Sequence, residues 1–402
     1  MKIQNIRAVF PFKDYVIDTV KFGGQGAQVH LRRHARKPFK CSCCGSKMHK
    51  SRTRTQVAHD LACGSCTTVW IYYPATQAKC PRCGKYETFI PAEISAPRQA
   101  TWRLMRHVSL LARHMPLEHI PEATGQACSH SSAYRWDRAI LEKELPPPNL
   151  DGIRALLVDE KAVRRGHGYV TVVMDADTGE PLFVGEGKKK STLAAFFELL
   201  SPSQKASIKA VCIDRAGSYR QAVLEHLPHA EIVYDKFHLT ANLNAAVDEV
   251  RRQEWRAAEE AGAKELVKNS RYLLLRHEEN VPEEKRKKLR DLLAANAHIS
   301  AAHILKESFR LLWTYSNAAC AEKFLRTWCG WVQESGLAAM CKFAAGIERD
   351  IAGVLAYFRH RITTSPLESL NNTIARVMHR SCGIRSLDYL FLRLRQNHRL
   401  QN

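Results

Sequence analysis

Two apolar, β-branched runs in this sequence end abruptly on a carboxylate: Ala155-Leu-Leu-Val-Asp159 and Ile208-Lys-Ala-Val-Cys-Ile-Asp214. Buried strands of a parallel sheet read as near-continuous apolar runs, and ligands of open α/β sheets sit beyond the carboxyl ends of the strands. Asp159 and Asp214 are therefore expected to face one another. A third carboxylate, Glu368 of Ser365-Pro-Leu-Glu368, would complete a set suited to divalent cations, because hard ions take oxygen ligands and clustered anions otherwise repel. Spacing alone leaves Glu368 a second reading. With Ser365 as N-cap and Pro366 at the first helical position, Glu368 folding back to the cap amide would make a capping box.

Thirteen cysteines form the other chemical signal. Six of them fall into Cys41-x-x-Cys44, Cys63-x-x-Cys66 and Cys80-x-x-Cys83. Two-residue spacing lets both thiolates of a knuckle reach one tetrahedral Zn²⁺, and two knuckles close a structural site, so three are one too many. The outer pairs carry a trailing glycine, Gly45 and Gly84, and bracket strand-like runs such as Thr67 to Tyr73. Cys41, Cys44, Cys80 and Cys83 are the expected zinc ligands. Cys63 and Cys66 then mark a tight turn between strands, with displacement of an outer pair as the alternative. The scattered Cys128, Cys212, Cys320, Cys329, Cys341 and Cys382 read as ordinary buried thiols.

The elements that must position these groups follow from length, charge and periodicity. A chain of 402 residues predicts two to four domains. Its net charge of +21 is concentrated early, with 23 basic against 10 acidic residues in 1–150, and a polyanion, nucleic acid first, is the natural partner. No run of about 18 uncharged apolar residues occurs, and Met-Lys-Ile-Gln-Asn lacks a signal-peptide core, which predicts a cytoplasmic protein without a membrane span.

Short strand-like runs are expected at 3–10 and 27–31 around the turn Gly23-Gly-Gln-Gly26. Residues 99–145 read as three helices: one capped by Thr101, a short one over 117–123, then Gly125 and a polar helix from Ser129. That order fits a helix-turn-helix, with a packing bundle as the alternative; Ser131, Arg135 and Arg138 are its candidate DNA contacts. Pro146-Pro-Pro148 is a stiff boundary. Beyond it, three antiparallel strands precede alternating helix and strand, the order of a ribonuclease H-like fold, over 150–240. A charged helical insertion is expected over 241–358. The last segment, 359–402, carries a helix whose apolar stripe is Leu367, Leu370, Ile374 and Val377; Glu368, Asn372 and Arg376 share another face. The predicted class is thus a multidomain α/β protein: zinc module over 1–98, helix-turn-helix, and a ribonuclease H-like core interrupted by helices.

Several of these motifs together carry a family likeness: Val158-Asp-Glu160, Cys212-Ile-Asp214 with Tyr219 and Ala222-Val223, Pro228-His-Ala230 leading to Asp235-Lys-Phe-His238, and Leu367-Glu-Ser-Leu-Asn-Asn372 with Arg380 and Gly383. The sequence resembles the DDE transposases of bacterial insertion sequences, most closely the ISL3 group, over nearly its whole length. That resemblance implies a catalytic triad of Asp159, Asp214 and Glu368 holding two Mg²⁺ (Mn²⁺ as substitute), and structural Zn²⁺ on the outer cysteine pairs. It also implies double-stranded transposon ends and target DNA as partners, with Arg376 near the bound DNA, and a homodimer or larger synaptic complex at the nucleoid. The chain departs from the family pattern at Cys63–Cys66, at Ser369 and at Ser381-Cys382. Two other classes compete: a zinc-dependent DNA-binding regulator with a silent nuclease-like domain, and a host nuclease of the same fold that recognises branched DNA.

Overall fold

The computed structural model describes residues 10–24, 26–164, 168–214, 217–258, 264–265, 267–362, 364–381 and 386–399. It is a mixed α/β protein with two sheets, and it divides into two compact units, residues 1–147 with 373–402, and residues 148–372. The run at 3–9 and the positions Cys382 and Gly383 lie outside the described residues.

The first unit is built on a seven-stranded sheet. Its strands are β1 (Tyr15–Gly23), β2 (Gly26–Arg33), β3 (His49–Asp60), β4 (Thr68–Lys79), β5 (Tyr86–Phe89), β6 (Ile94–Ser95) and β7 (Ala100–Thr101). They run in the order β1-β2-β4-β3-β7-β6, with β5 on β4. In β4 the alternation is regular: Val69, Ile71, Tyr73 and Ala75 enter the core, while Thr68, Trp70, Tyr72 and Pro74 are half-exposed, as a pleated strand with one buried face requires. By contrast β3 is exposed from His49 to Gln56, and its ladder with β4 runs from His49↔Lys79 to Asp60↔Val69. Cys63 and Cys66 exchange both backbone hydrogen bonds (3.1 and 3.0 Å) in the turn joining β3 and β4, where Gly64 has φ +57°. The tight-turn reading of this pair holds.

Three helices follow: α1 (Trp102–Leu111), the short α2 (Ile120–Ala123) and α3 (His130–Glu144). Thr101 and Ser129 are side-chain N-caps, accepting from the amides of Leu104 and Ser132, which satisfies donors that a helix start leaves orphaned. Buried Asp137 of α3 accepts from Tyr389 (2.5 Å) and pairs with Arg393 (2.6 Å), both on α15 (Leu387–Arg399). Removing one member would strand a buried charge.

In the second unit five strands lie in the order β10-β9-β8-β11-β12: β8 (Ala155–Arg164), β9 (Gly168–Asp175), β10 (Pro181–Glu186), β11 (Ala210–Ile213) and β12 (Glu231–Tyr234). The first three pair antiparallel, and β8–β11 and β11–β12 are parallel. Helices α4 (Lys190–Glu198), α5 (Pro202–Ser207) and α6 (Gly217–His226) connect them. From α7 (Lys236–Ala257) to α13 (Ile351–His360), through α8 (Arg271–Leu275), α9 (Glu283–Ala295), α10 (Ala297–Phe309), α11 (Ala318–Glu334) and α12 (Ala338–Arg349), the described chain has no strand. One continuous apolar cluster runs from Leu156, Val211 and Ile213 in the sheet to Trp328, Phe343 and Phe358 in these helices.

Close packing locks α13 against the end of β12. A Cβ added at Gly353 would stand 2.4 Å from the Tyr234 ring, and Tyr234 is buried one residue before Asp235. Gly353→Ala is therefore expected to lower stability by about 1–3 kcal/mol, the usual range for overpacking. Urea melts would show a reduced midpoint with an unchanged slope.

Candidate active site and cysteine cluster

The parallel ladder between β8 and β11 pairs Ala155, Leu156 and Leu157 with Ala210, Val211 and Cys212. The ladder ends at Leu157↔Cys212; continued two steps, its register would bring Asp214 level with Asp159, and partners in a parallel ladder share a face. The β11–β12 register, ending Ile213↔Tyr234 with the Asp235 amide on the Ile213 carbonyl (3.0 Å), carries the row on to Asp235. Three carboxylates thus lie just beyond the parallel-paired stretches of three neighbouring strands. β8 does not stop at Asp159 as the apolar run suggested, because β9 keeps pairing with it to Arg164↔Gly168; only its parallel partner ends there.

Glu368 lies exposed in the first turn of α14 (Ser365–Arg380). The Thr364 carbonyl accepts from the amides of Leu367 (2.9 Å) and Glu368 (3.4 Å), so the helix is capped at Thr364 and Glu368 is its fourth residue. A capping box needs the acid at the third. Two hydrogen bonds tie this helix start to the strand ends: Asn371 donates to Asp159 (2.8 Å), and Thr364 donates to Asp235 (2.9 Å). Asn371 follows Glu368 by three residues, on the same helix face, yet sequence reasoning singled out Asn372 instead. Leu367, Leu370, Ile374 and Val377 are buried as the stripe requires. Asp159, Asp214 and Glu368 are not drawn into a knot: among the described residues the only group of three or more such ligand atoms within 4.8 Å of one another is made of cysteines. Glu160 is taken up by Lys188 at 3.4 Å.

The electrostatics report a concentrated negative field. Asp235 accepts from His238 Nδ1 (2.6 Å), the Phe237 amide (2.8 Å) and Thr364. Burial alone would raise its pKa, but those bonds outweigh burial and hold the carboxyl below the usual range. His238 is raised to about 9, first by its bond to Asp235 and, against burial, by the charges of Asp235, Asp159 and Asp214. Cys212, wholly buried, is pushed well up by burial and then by Asp235 and Asp159. Because the folded His238 value exceeds that of an unfolded histidine, about 6.5, its stabilising contribution is complete below that value and is lost as pH rises through about 9. In metal-free protein the His238 ring resonances are expected to titrate near 9 by NMR, and in Asp235→Asn to fall towards the unperturbed value.

Four thiols converge at the far end of the β3–β4 ribbon. Cys41 and Cys83 are 3.5 Å apart, Cys44 and Cys80 3.4 Å, and Cys44 and Cys83 3.8 Å. Each pair sits in the same turn: the amides of Gly45 and Gly84 bond to the carbonyls of Cys41 and Cys80 (2.9 and 3.0 Å), with φ +71° and +74° at the glycines. Sulfurs held 2.3 Å from a tetrahedral Zn²⁺ stand about 3.8 Å apart, so the quartet fits that ion closely. Ser46 hydrogen-bonds to Cys44 and, with Cys80, pulls its thiol down to about 6, whereas at Cys83 the lowering bond of the Lys85 backbone is outweighed by the neighbouring thiols, which push it up to about 12. Cys63 and Cys66 take no part in the quartet.

In the helical segment Ser131 and Arg135 are exposed. Arg135 donates to the Ser131 carbonyl and the Ser132 hydroxyl, whereas Arg138 is paired with Glu142 at 2.6 Å. Arg376 is exposed and donates to Thr373.

The described residues thus offer one four-cysteine cluster that could hold a metal ion, and a sheet with carboxylates near its parallel-paired strand ends. Sequence kinship makes this specific: a family model described as a transposase matches residues 156–394, and the chain belongs to that family, the ISL3 group of DDE transposases. It is 31% identical over 381 residues to the transposase for insertion sequence element IS1001 of Bordetella parapertussis, covering 92% of this chain and 91% of that one. It is 27% identical over 256 residues to the transposase for insertion sequence element IS1557 of Mycobacterium tuberculosis, covering 58% of this chain and 57% of that one. No helix among the described residues is long and apolar enough to cross a membrane.

Proposed function

We propose that this protein is the transposase of an insertion sequence, cutting DNA at the element's terminal repeats and joining the freed ends to target DNA. The observation that carries the reading is the hydrogen bond to Asp159 from Asn371, on the helix that bears Glu368. Three antiparallel strands followed by two parallel ones support a ribonuclease H-like catalytic core, built from 150–240 and 359–402 around the helical insertion of 241–358.

Asp159, Asp214 and Glu368 offer only oxygen donors in a negative field, which fits Mg²⁺ or Mn²⁺. Bound there, two such ions supply Lewis-acid stabilisation of the attacking and leaving oxygens in an in-line phosphoryl displacement. The chain's own groups prepare that site. Asn371 orients Asp159, and Thr364 and His238 hold Asp235, with the imidazolium offsetting part of the accumulated charge. No protein nucleophile is needed, since water and then a DNA 3′-hydroxyl attack.

The 1–98 module, held by structural Zn²⁺ on Cys41, Cys44, Cys80 and Cys83, and a helix-turn-helix over 99–145 would bind the double-stranded ends. Ser131 and Arg135 are presented outward from α3, Arg138 is available once Glu142 is displaced, and Arg376 follows Glu368 by two helical turns. Synapsis of two ends calls for a homodimer or larger assembly, acting at the bacterial nucleoid. Supercoiled plasmid carrying the element's ends should be cleaved at the repeat boundaries with Mg²⁺ or Mn²⁺ and left intact in EDTA. End binding without cleavage in any divalent metal would favour a silent DNA-binding regulator, and preference for branched DNA over the repeats a host nuclease.

A further inference from the structure

The sheet of the first unit has a second face that the readings above leave unused. Across three strands, Gln28, Trp70 and His59 stand in one register row, and His30, Tyr72 and Val57 in the next. The rings already pair across the strands, His59 tilted against Trp70 at 4.2 Å between centroids and His30 stacked on one face of Tyr72 at 4.6 Å. All four are half-exposed, unlike Val69, Ile71 and Tyr73 on the opposite face. Burial lowers the pKa of His59, so its ring is neutral at pH 7.

Three adjoining hollows lie around Trp70 and His59 of this face, the middle one also reaching Gln56 and Tyr73. One of about 350 Å³ spans the β1–β2 turn to Trp70, one of about 270 Å³ runs from Trp70 to His59 and Gln99, and one of about 480 Å³ continues from His59 and Gln99 to Ser132 and Arg135. Among the described residues no aspartate or glutamate lines any of them, while Lys21, Arg98 and Arg135 do. Amide side chains of Gln56, Gln99 and Gln126 supply both donors and acceptors along the way.

We infer that this face is a binding track for a single DNA strand with unpaired bases, stacked on the Trp70 and Tyr72 rows and held through its phosphates by the flanking basic residues. The inference rests on the DNA-processing reading above and deepens it. Bases in a duplex hide their faces in the helical stack, so ring surfaces on a protein serve bases that are unpaired. Trp70 and Tyr72, two residues apart on one strand, stand about 7 Å apart, enough for a base over each. The absence of carboxylates from all three hollows matches a polyanion and disfavours a cationic or acceptor-poor ligand.

The test is fluorescence anisotropy of full-length, zinc-loaded protein with a short fluorescein-labelled oligothymidylate and with a duplex of the element's end, both without added Mg²⁺. The unmodified protein should bind the oligothymidylate. Trp70→Leu should weaken that binding roughly tenfold, in the range measured for one stacking ring, with duplex affinity unchanged, and Trp70→Phe should restore most of it. Gln99→Gly should act in the same direction while keeping the fold, because Gln99 sits at φ +52°, where glycine is unstrained. No binding of the oligothymidylate, an unaltered affinity in Trp70→Leu and Gln99→Gly, or an equal loss on duplex would each overturn the inference. Plasmid cleavage by the same preparations separates the two readings: cleavage without oligothymidylate binding sinks this track alone, and oligothymidylate binding without cleavage sinks the transposase chemistry alone.

Discussion

Asp214→Asn and Glu368→Gln are each expected to reduce Mg²⁺-dependent plasmid cleavage by about 10³-fold or more, while affinity for the end duplex stays within about threefold of the unmodified protein. The substitutions preserve shape and remove one negative charge. Lewis-acid stabilisation of a phosphoryl displacement is worth several kcal/mol, and each 1.4 kcal/mol is a factor of ten in rate. Asp214 follows β11, the strand between β8, which carries Asp159, and β12, which leads to Asp235, so its charge is the one flanked on both sides. Glu368 is the more discriminating test. It is exposed at the fourth position of α14, where an ordinary surface glutamate would tolerate glutamine within about 0.5 kcal/mol. Cleavage that survives Glu368→Gln but not Asp214→Asn would return Glu368 to the helix surface and send the search for a third ligand to Asp235.

Cys80→Ser is expected to remove one bound zinc per chain and to abolish end-duplex binding. Structural Zn²⁺ contributes an apparent 10–16 kcal/mol in small four-ligand modules, as much as the entire stability of a typical domain. Cys80 is wholly buried in a small cluster with Cys41, Met48 and Ala78, against which only Phe39, Cys44 and Phe89 pack among the described residues, so a bound metal would add what so small a core lacks. Cys63→Ser supplies the contrast: that thiol belongs to a turn packed against the main sheet core and should leave zinc content unchanged. Metal analysis of the purified variants, with end-duplex binding measured alongside, checks both. Equal zinc in Cys80→Ser and the unmodified protein would overturn the assignment.

Much of the arrangement was legible in the sequence because the signals were periodic or chemically unusual. The runs ending at Asp159 and Asp214 were readable since strands covered on both faces must be apolar throughout. The outer cysteine pairs stood out through their trailing Gly45 and Gly84, both of which adopt left-handed backbone. Where the side chains carry no period, the reading failed. Strand β3, His49-Lys-Ser-Arg-Thr-Arg-Thr-Gln-Val-Ala-His-Asp60, is solvated over most of its length, so nothing in its pattern separates it from a loop. Strand β1 at Tyr15–Gly23 alternates only at its start and was passed over. Asn371 was overlooked because Asn371-Asn372 offers two equivalent amides, and only the helix's rotation selects the one facing Asp159.

The sequence by itself determined the order of strands and helices beyond Pro148, the residue types at the four cysteines and three carboxylates that could ligate a metal, and the basic character that favours a polyanionic partner. These are local properties of residue type and spacing. Only the tertiary structure decided that Asp159, Asp214 and Asp235 stand in one row, that Asn371 and Thr364 tie the Glu368 helix to it, and that Trp70, Tyr72, His30 and His59 gather on a half-exposed sheet face. Each of those meetings depends on the register of strands or the rotation of a helix. Register and rotation are settled by burial of the opposite faces, through contacts among residues far apart in the chain.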